Sequence, residues 1–272
     1  MTSSKMRSWY NDEGKNMTIG ILDSGLGGYS VYHALRGAYP NASFLFLADQ
    51  LNAPFGDKTK DQIFEIACDA MTWFEKQGIE EVLVACNTIS ALVIDEIKPL
   101  YPNLKITGII DLTVNQFKNN PVEEILVLAT AGTINSLAYP HKFEKLLSKK
   151  HISSKALPLL VPQLEGLAPQ KEIKAYLEES LLPYKNKTQG VVLACTHYPL
   201  VKNIVEGILD VPSYDSLEPI LKHFSNKDLP QGSSQVLTTR DPLYMAKQIQ
   251  TLFNKEEIVY LTQVEHADRR CK

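Results

Sequence analysis

The chain has 272 residues, 44% of them hydrophobic and 22% charged, with a formal net charge of −3. That composition excludes disordered, collagen-like and fibrous classes, and the length, near the roughly 250 residues one core can fill, suits one large or two modest domains. The slightly acidic balance, 31 Asp and Glu against 28 Lys and Arg, gives no electrostatic reason to expect nucleic acid or an anionic membrane surface as partner and leaves small neutral or zwitterionic ligands open. Four cysteines, Cys68, Cys86, Cys195 and Cys271, are too sparse for a disulfide framework and form no C-x-x-C pair, so they read as reduced thiols. Residues 1–16 are polar and aperiodic and read as a flexible extension. No segment approaches the roughly 18 apolar residues of a membrane span, and no secretory leader is visible, so a cytoplasmic location is expected.

From residue 17 onward short apolar runs alternate with longer amphipathic ones, the pattern of strands feeding helices in a largely parallel sheet. Residues 17–22 (MTIGIL) predict a first buried strand, and the turn DSGLGG leads into a helix from about Tyr29 to just before Pro40. Residues 44–48 (FLFLA) predict a second strand. A helix over 61–77 carries Ile63, Ile66, Ala67, Ala70, Met71 and Phe74 at spacings of three and four and stops at Gly78. Strands over 81–85 (EVLVA) and 106–110 flank a helix over 88–97 that Pro99 closes.

The second half repeats this pattern. Residues 124–129 (EILVLA) predict a strand, followed by the small, hydroxyl-rich turn TAGTINS and a helix reaching the basic stretch 145–150. Strands over 157–161 (LPLLV) and 190–194 (GVVLA) flank a helix over 171–182, and the second of them runs into CTHYPL much as EVLVA runs into CNTISAL. From Asp23 to Thr130 is 107 positions and from Cys86 to Cys195 is 109, although identity between the halves is too weak to prove duplication. Beyond residue 214, helices over 217–224 and 242–253 and strands over 235–238 and 258–261 return to the first half. The expected fold is α/β, with two similar lobes, each a mainly parallel sheet flanked by helices, related by a pseudo-twofold with the active site in the cleft between them. The first lobe is expected over 17–112 plus 214–272 and the second over 113–213.

In parallel α/β sheets ligands bind beyond the carboxyl ends of the strands. Those ends deliver Asp23-Ser24, Asp49, Cys86-Asn87-Thr88, Thr130 with Thr133, and Cys195-Thr196-His197. A cysteine at a helix start feels the partial positive charge of unpaired N–H groups, so Cys86 is expected to have a lowered pKa. A single cysteine after an apolar strand is more simply a small buried hydrophobe, and only its pairing with Cys195 favours the reactive reading. Two thiols facing each other across a cleft suit a two-base inversion, in which one thiolate removes hydrogen from a stereogenic carbon and the opposite thiol protonates the other face.

The low acidity of an amino-acid Cα–H then demands fixed donors and a closed, dry cleft. Ser24, Asn87, Thr88, Thr196 and helix-start N–H groups offer such donors, although the same residue types cap helices. Asp23 suits a substrate ammonium or the tuning of a thiol, and His197 the tuning of Cys195 or a substrate contact; a helix cap and a hydrogen-bonded wall residue are their plainer roles. Glu165 and Asp49, each after a predicted strand, are candidates of the same kind. The DSGLGG glycines read as a tight strand-to-helix turn without nucleotide-binding spacing. Two other classes stay open: a cysteine hydrolase with His197 as base, which leaves the second thiol without a task, and a two-lobed binding or regulatory protein.

The segments IGILDSGLGG, ADQLNAPFGDKT, ACNTISAL, ATAGTINS, LVPQLEG, LACTHYPL and LTTRDP, in that order, resemble the cofactor-independent glutamate racemases of the aspartate/glutamate racemase superfamily. The resemblance implies that Cys86 and Cys195 exchange protons with substrate, and that Asp23, Ser24, Asn87, Thr88, Thr196 and His197 contact it. A family Pro-Tyr-Gly substrate segment reads Pro54-Phe55-Gly56 here, which keeps the ring without its hydroxyl. Ala194 replaces a frequent glycine, and Ile110-Asp111-Leu112 departs from the usual sequence near the lobe junction. The implied activity interconverts L- and D-glutamate for peptidoglycan synthesis, with glutamate as the small-molecule partner and neither pyridoxal phosphate nor metal; no phosphate loop or ligand cluster is recognisable. Relatives are often homodimers, and no isolated apolar stripe identifies an interface here.

Overall fold

The computed structural model describes residues 18–266. The expected extension over residues 1–16 and the reading of Cys271 lie outside them. The first half runs β1 (Ile19–Asp23), α1 (Leu26–Ala38), β2 (Phe44–Ala48), α2 (Lys60–Lys76), β3 (Glu81–Val84), α3 (Asn87–Leu92), α4 (Ile94–Ile97), β4 (Lys105–Gly108) and α5 (Ile109–Asn115). The second runs β5 (Glu124–Ala129), α6 (Ala131–Asn135), α7 (Ala138–Leu146), β6 (His151–Ala156), α8 (Leu160–Glu165), α9 (Gln170–Leu181), β7 (Gly190–Ala194), α10 (Lys202–Leu209) and β8 (Ser213–Tyr214). The chain closes with α11 (Leu217–Phe224), β9 (Gln235–Thr238), α12 (Pro242–Phe253) and β10 (Val259–Leu261).

Two parallel sheets result, ordered β10-β9-β2-β1-β3-β4 and β6-β5-β7-β8. The run β2-β1-β3-β4 and the run β6-β5-β7-β8 have the same connectivity, so the strands that precede the two cysteines occupy matching places. Successive side chains of a strand point to opposite faces, and both faces of each sheet are covered by helices. In the first, Leu22, Leu45 and Leu47 pack with α2 while Ile21, Phe44 and Phe46 pack with α1. In the second, Leu126, Leu128 and Leu193 pack with α9 and α10, and Val127, Val192 and Ala194 with α7. No helix of the described residues is long and apolar enough to cross a membrane.

Local chemistry explains the boundaries. Thr59 and Gln62 close a reciprocal capping box on α2, and Gly78 follows that helix with φ 71°, a left-handed value that glycine adopts at little cost. Several expectations are corrected. Residues 157–161 do not form a strand: the strand is the preceding polar edge segment HISSKA (β6), whose one side is open to solvent, while Leu157, Leu160 and Leu164 turn inward at and along α8. Glu165 therefore ends a helix rather than following a strand. Residues 109 and 110 begin α5 instead of extending β4, and Val93 (φ −138°, ψ −3°) divides the expected 88–97 helix. Helix α1 starts at Leu26, so Gly27 and Gly28 lie in its first turn. Cys68 in α2 is disulfide-bonded, against the reading of four reduced thiols. Cysteine count alone could not show that the chain after β10 runs back along α2, with Val264 packed in its core and His266 Nδ1 2.9 Å from Asp69 Oδ2.

Candidate active site

Cys86 follows β3 and caps α3; Cys195 follows β7. Both are free thiols, 5% and 6% exposed, and both line one narrow cavity of about 30 Å³. One water needs roughly 10–15 Å³ of such space, so the cleft as it stands has room for little beyond a water or two. Ser24, Pro54, Phe55, Gly56, Asn87, Thr88, Thr130, Thr196 and His197 also wall it, together with Asp57, Pro158, Val161 and Pro162, which the sequence had not singled out. Asp23, Asp49, Thr133 and Glu165 stand outside this wall. Asp49 braces the loop after β2, its carboxylate accepting from Asn52 Nδ2 and Thr239 Oγ1 at 2.9 Å each.

The surroundings of Cys195 are polar. Its Sγ lies 3.7 Å from His197 Nδ1, and His197 Nε2 lies 2.8 Å from Glu165 Oε1. Gly27 N–H also lies 3.1 Å from Nε2, and the two contacts demand opposite roles of that nitrogen. Ionised Glu165 selects the donor role at Nε2, so Nδ1 accepts from the Cys195 thiol when the ring is neutral and donates to the sulfur when the ring is protonated. Burial disfavours the imidazolium, but Cys195 and Glu165 outweigh it and hold His197 well above its ordinary pKa. Burial likewise works against Glu165, yet the bond to His197 prevails, helped by Leu26 N–H and Gln248, and keeps this carboxyl below its usual range.

Around Cys86 the balance reverses. Burial pushes its thiol far above the ordinary value, the charge of Asp23 adds to this, and backbone N–H groups of Ile89 and Thr88 offset only part. The expected lowering by the helix start is therefore overturned: α3 has only six residues, and desolvation wins. Asp23 itself is completely buried, which pushes its pKa up to about 6 against the pull of His197. Its Oδ1 accepts from Gly25 N–H (3.1 Å) and Gly28 N–H (3.0 Å), and its Oδ2 from Thr196 Oγ1 (3.1 Å) of the opposite half.

Hydroxyls and one amide complete the wall. Thr88 Oγ1 lies 3.0 Å from Thr130 Oγ1, which lies 3.1 Å from Thr133 Oγ1, so hydroxyls from both halves converge. Tyr139 of α7 donates to Asn87 Oδ1 at 2.7 Å, and Asn87 Nδ2 is buried with no partner among the described residues. Sequence gave no cue to Tyr139, whose partner comes from 52 residues away. The DSGLGG glycines prove to be contact points as well as a turn. A Cβ at Gly27 would overlap Thr196 Oγ1 and His197 Nδ1, and one at Gly25 would overlap Glu165 Oε1. Gly56 meets Thr130 in the same way.

The Asp/Glu/Hydantoin racemase family matches residues 48–223. The glutamate racemase of Aquifex aeolicus is 32% identical over 250 residues, covering 88% of this chain and 95% of the relative. This chain belongs to the Asp/Glu/Hydantoin racemase family. The family is one of isomerases, and a second member, the glutamate racemase of Aquifex pyrophilus, is 34% identical over 81% of this chain and 87% of its own. The crystal structure of the glutamate racemase from Francisella tularensis in complex with D-glutamate superposes with a TM-score of 0.83 at 26% identity, covering 92% of this chain and 98% of that one.

Proposed function

We propose that this racemase interconverts L- and D-glutamate by two-cysteine proton transfer. The observation that carries the reading is the pair of free thiols at matching strand ends of two like-connected sheets, lining one narrow cavity. Glutamate as the substrate is supported by the names of the relatives. In one direction a Cys195 thiolate takes the Cα hydrogen as a proton while the Cys86 thiol gives its own proton to the opposite face; in the other the roles exchange. Charges balance, since one thiolate is consumed and one is formed, and both protons move between sulfur and carbon.

His197 Nδ1 stands 3.7 Å from Cys195 Sγ, in reach of that sulfur as its proton comes and goes, and the raised pKa of Cys86 keeps the second sulfur protonated. Asn87 Nδ2, Ser24 and Thr196 are placed to hold the α-substituents, and the Thr88 and Thr130 hydroxyls to hold the side-chain carboxylate, with Thr133 hydrogen-bonded to Thr130. Such fixed donors in a dry cleft favour the carbanion-like transition state more than water would. Asp23 acts through Thr196, which it orients. We place the first lobe at 18–112 plus 215–266 and the second at 113–214, one residue later than expected because Tyr214 pairs in β8 with the second sheet, and the role of the product as cytoplasmic supply of D-glutamate for peptidoglycan.

The test is circular dichroism of L-glutamate with the purified protein in deuterated water: the expected result is decay of the signal with deuterium entering Cα. Absence of exchange, or full activity in both Cys86→Ser and Cys195→Ser, would sink the reading. A panel including aspartate and hydantoins tests whether Phe55, in place of a family tyrosine, has changed the substrate.

A further inference from the structure

Glu165 is carried by α8, yet most of what holds it comes from the other sheet's elements. Its Oε1 accepts from Leu26 N–H at 2.8 Å besides facing His197. Its Oε2 accepts from Gln248 Nε2 at 3.2 Å and Gln50 Nε2 at 3.3 Å, and its carbonyl accepts from Gln248 Nε2 at 2.7 Å. Gln50 Nε2 also donates to Gln248 Oε1 at 3.1 Å, and Gln50 Oε1 accepts from Thr238 Oγ1 at 2.9 Å. Both N–H bonds of each glutamine amide are thus used, and the chain of donors runs one way, from Thr238 through Gln50 and Gln248 to Glu165. Gln50 and Gln248 are 6% and 1% exposed, so water offers no substitute for lost bonds. Gln248 is also a polar residue on the buried face of α12, between Met245 and Ile249, where packing alone would choose an apolar one.

We infer that Gln50 and Gln248 are positioning residues for proton transfer at Cys195: they fix the Glu165 carboxylate, which fixes the His197 ring against Sγ, and they do nothing equivalent for Cys86. The inference rests on the proposed two-thiol reading. Among the described residues no carboxylate–imidazole pair stands behind Cys86, so loosening the glutamines slows one of two proton transfers selectively. Because the two enantiomers are equally stable, kcat/KM falls equally in both directions; the asymmetry shows in isotope effects.

The experiment compares wild type with Gln248→Met, which keeps the length and apolar packing of the side chain. We expect kcat to fall about 10- to 100-fold, as when hydrogen bonds to a charged group are lost. The isotope effect of Cα-deuterated substrate should grow from one enantiomer only, and the solvent isotope effect from the other. Alkylation by iodoacetamide, followed residue by residue in a mass spectrum, should slow about fivefold or more at Cys195 and stay unchanged at Cys86. In a Glu165→Gln background the same substitution should add almost nothing, since its effect runs through that carboxylate. Gln50→Leu, which removes a longer bond to Glu165, carries the same test with a smaller effect should Gln248→Met not fold. Unchanged alkylation of Cys195, or equal changes at both thiols or from both enantiomers, overturns the inference. A wild-type protein that does not racemise glutamate overturns the functional reading alone, because the alkylation rates still decide whether the glutamines act on Cys195.

Discussion

The two sulfurs sit at matching ends of β3 and β7, but their surroundings differ in kind. Cys195 backs onto an imidazole from its own turn and a carboxylate from the end of α8, whereas Cys86 has backbone N–H groups and the buried charge of Asp23 nearby. The sheet connectivity repeats; the electrostatics do not. A two-base inversion needs this difference at every instant, since one sulfur must be charged while the other keeps its proton. Similar backbones with dissimilar neighbours supply it without any change of fold.

The most severe way to break the comparison is to remove either sulfur. Cys86→Ser and Cys195→Ser should each lower kcat by about 10²- to 10⁴-fold, read by circular dichroism, the span typical of a positioned acid or base. If one variant keeps full activity, the two sites are not partners. A narrower cut is His197→Asn, which keeps a polar group but no charge beside Cys195. It should lower kcat about 10- to 100-fold while alkylation of Cys86 stays at the wild-type rate; parallel losses at both thiols would show that the imidazole serves the whole cleft.

On the other side, Asp23→Asn tests stability. The folded protein holds the Asp23 proton more tightly than the unfolded chain, its pKa standing near 6 rather than 3.8, so this group's contribution is complete below about 3.8 and is lost as the pH rises through 6. At about 1.4 kcal/mol per unit of pKa the loss is about 3 kcal/mol. Urea unfolding should find the variant more stable than wild type at pH 8 by up to that amount, and level with it near pH 4. A gap that does not grow with pH would remove Asp23 from the contrast. The smallest effect is expected for Tyr139→Phe. Losing the bond that orients Asn87, about 1 kcal/mol, should raise KM about fivefold and leave kcat within about twofold, measured by initial rates.

Much of this was legible in the residues themselves. Strands after which a reactive side chain follows declared themselves through runs such as EILVLA and GVVLA, because buried parallel strands are apolar on both faces. Strand β6 stayed hidden because HISSKA is an edge strand with one side in water, and the apolar run beside it drew the assignment instead. The thiols and their hydroxyl neighbours could be read because they stand immediately after strands. Gln50 carries that same signal beside Asp49, while Tyr139 and Gln248 act from helices whose partners lie 52 and 83 residues away, and no local pattern records such distances. The Cys86 pKa rises where its helix start alone would lower it, because helix starts are visible in a sequence whereas desolvation depends on everything that folds around the sulfur.

A cavity of about 30 Å³ has a kinetic consequence. Thr196 with Asp23, Leu26 with Glu165 and Tyr139 with Asn87 each tie one half of the molecule to the other, so any parting of the halves that widens the cleft for a substrate loosens these bonds and closure remakes them. The same bonds thereby bear on how long a product stays. Strengthening them would yield a protein that performs its chemistry well and lets go slowly.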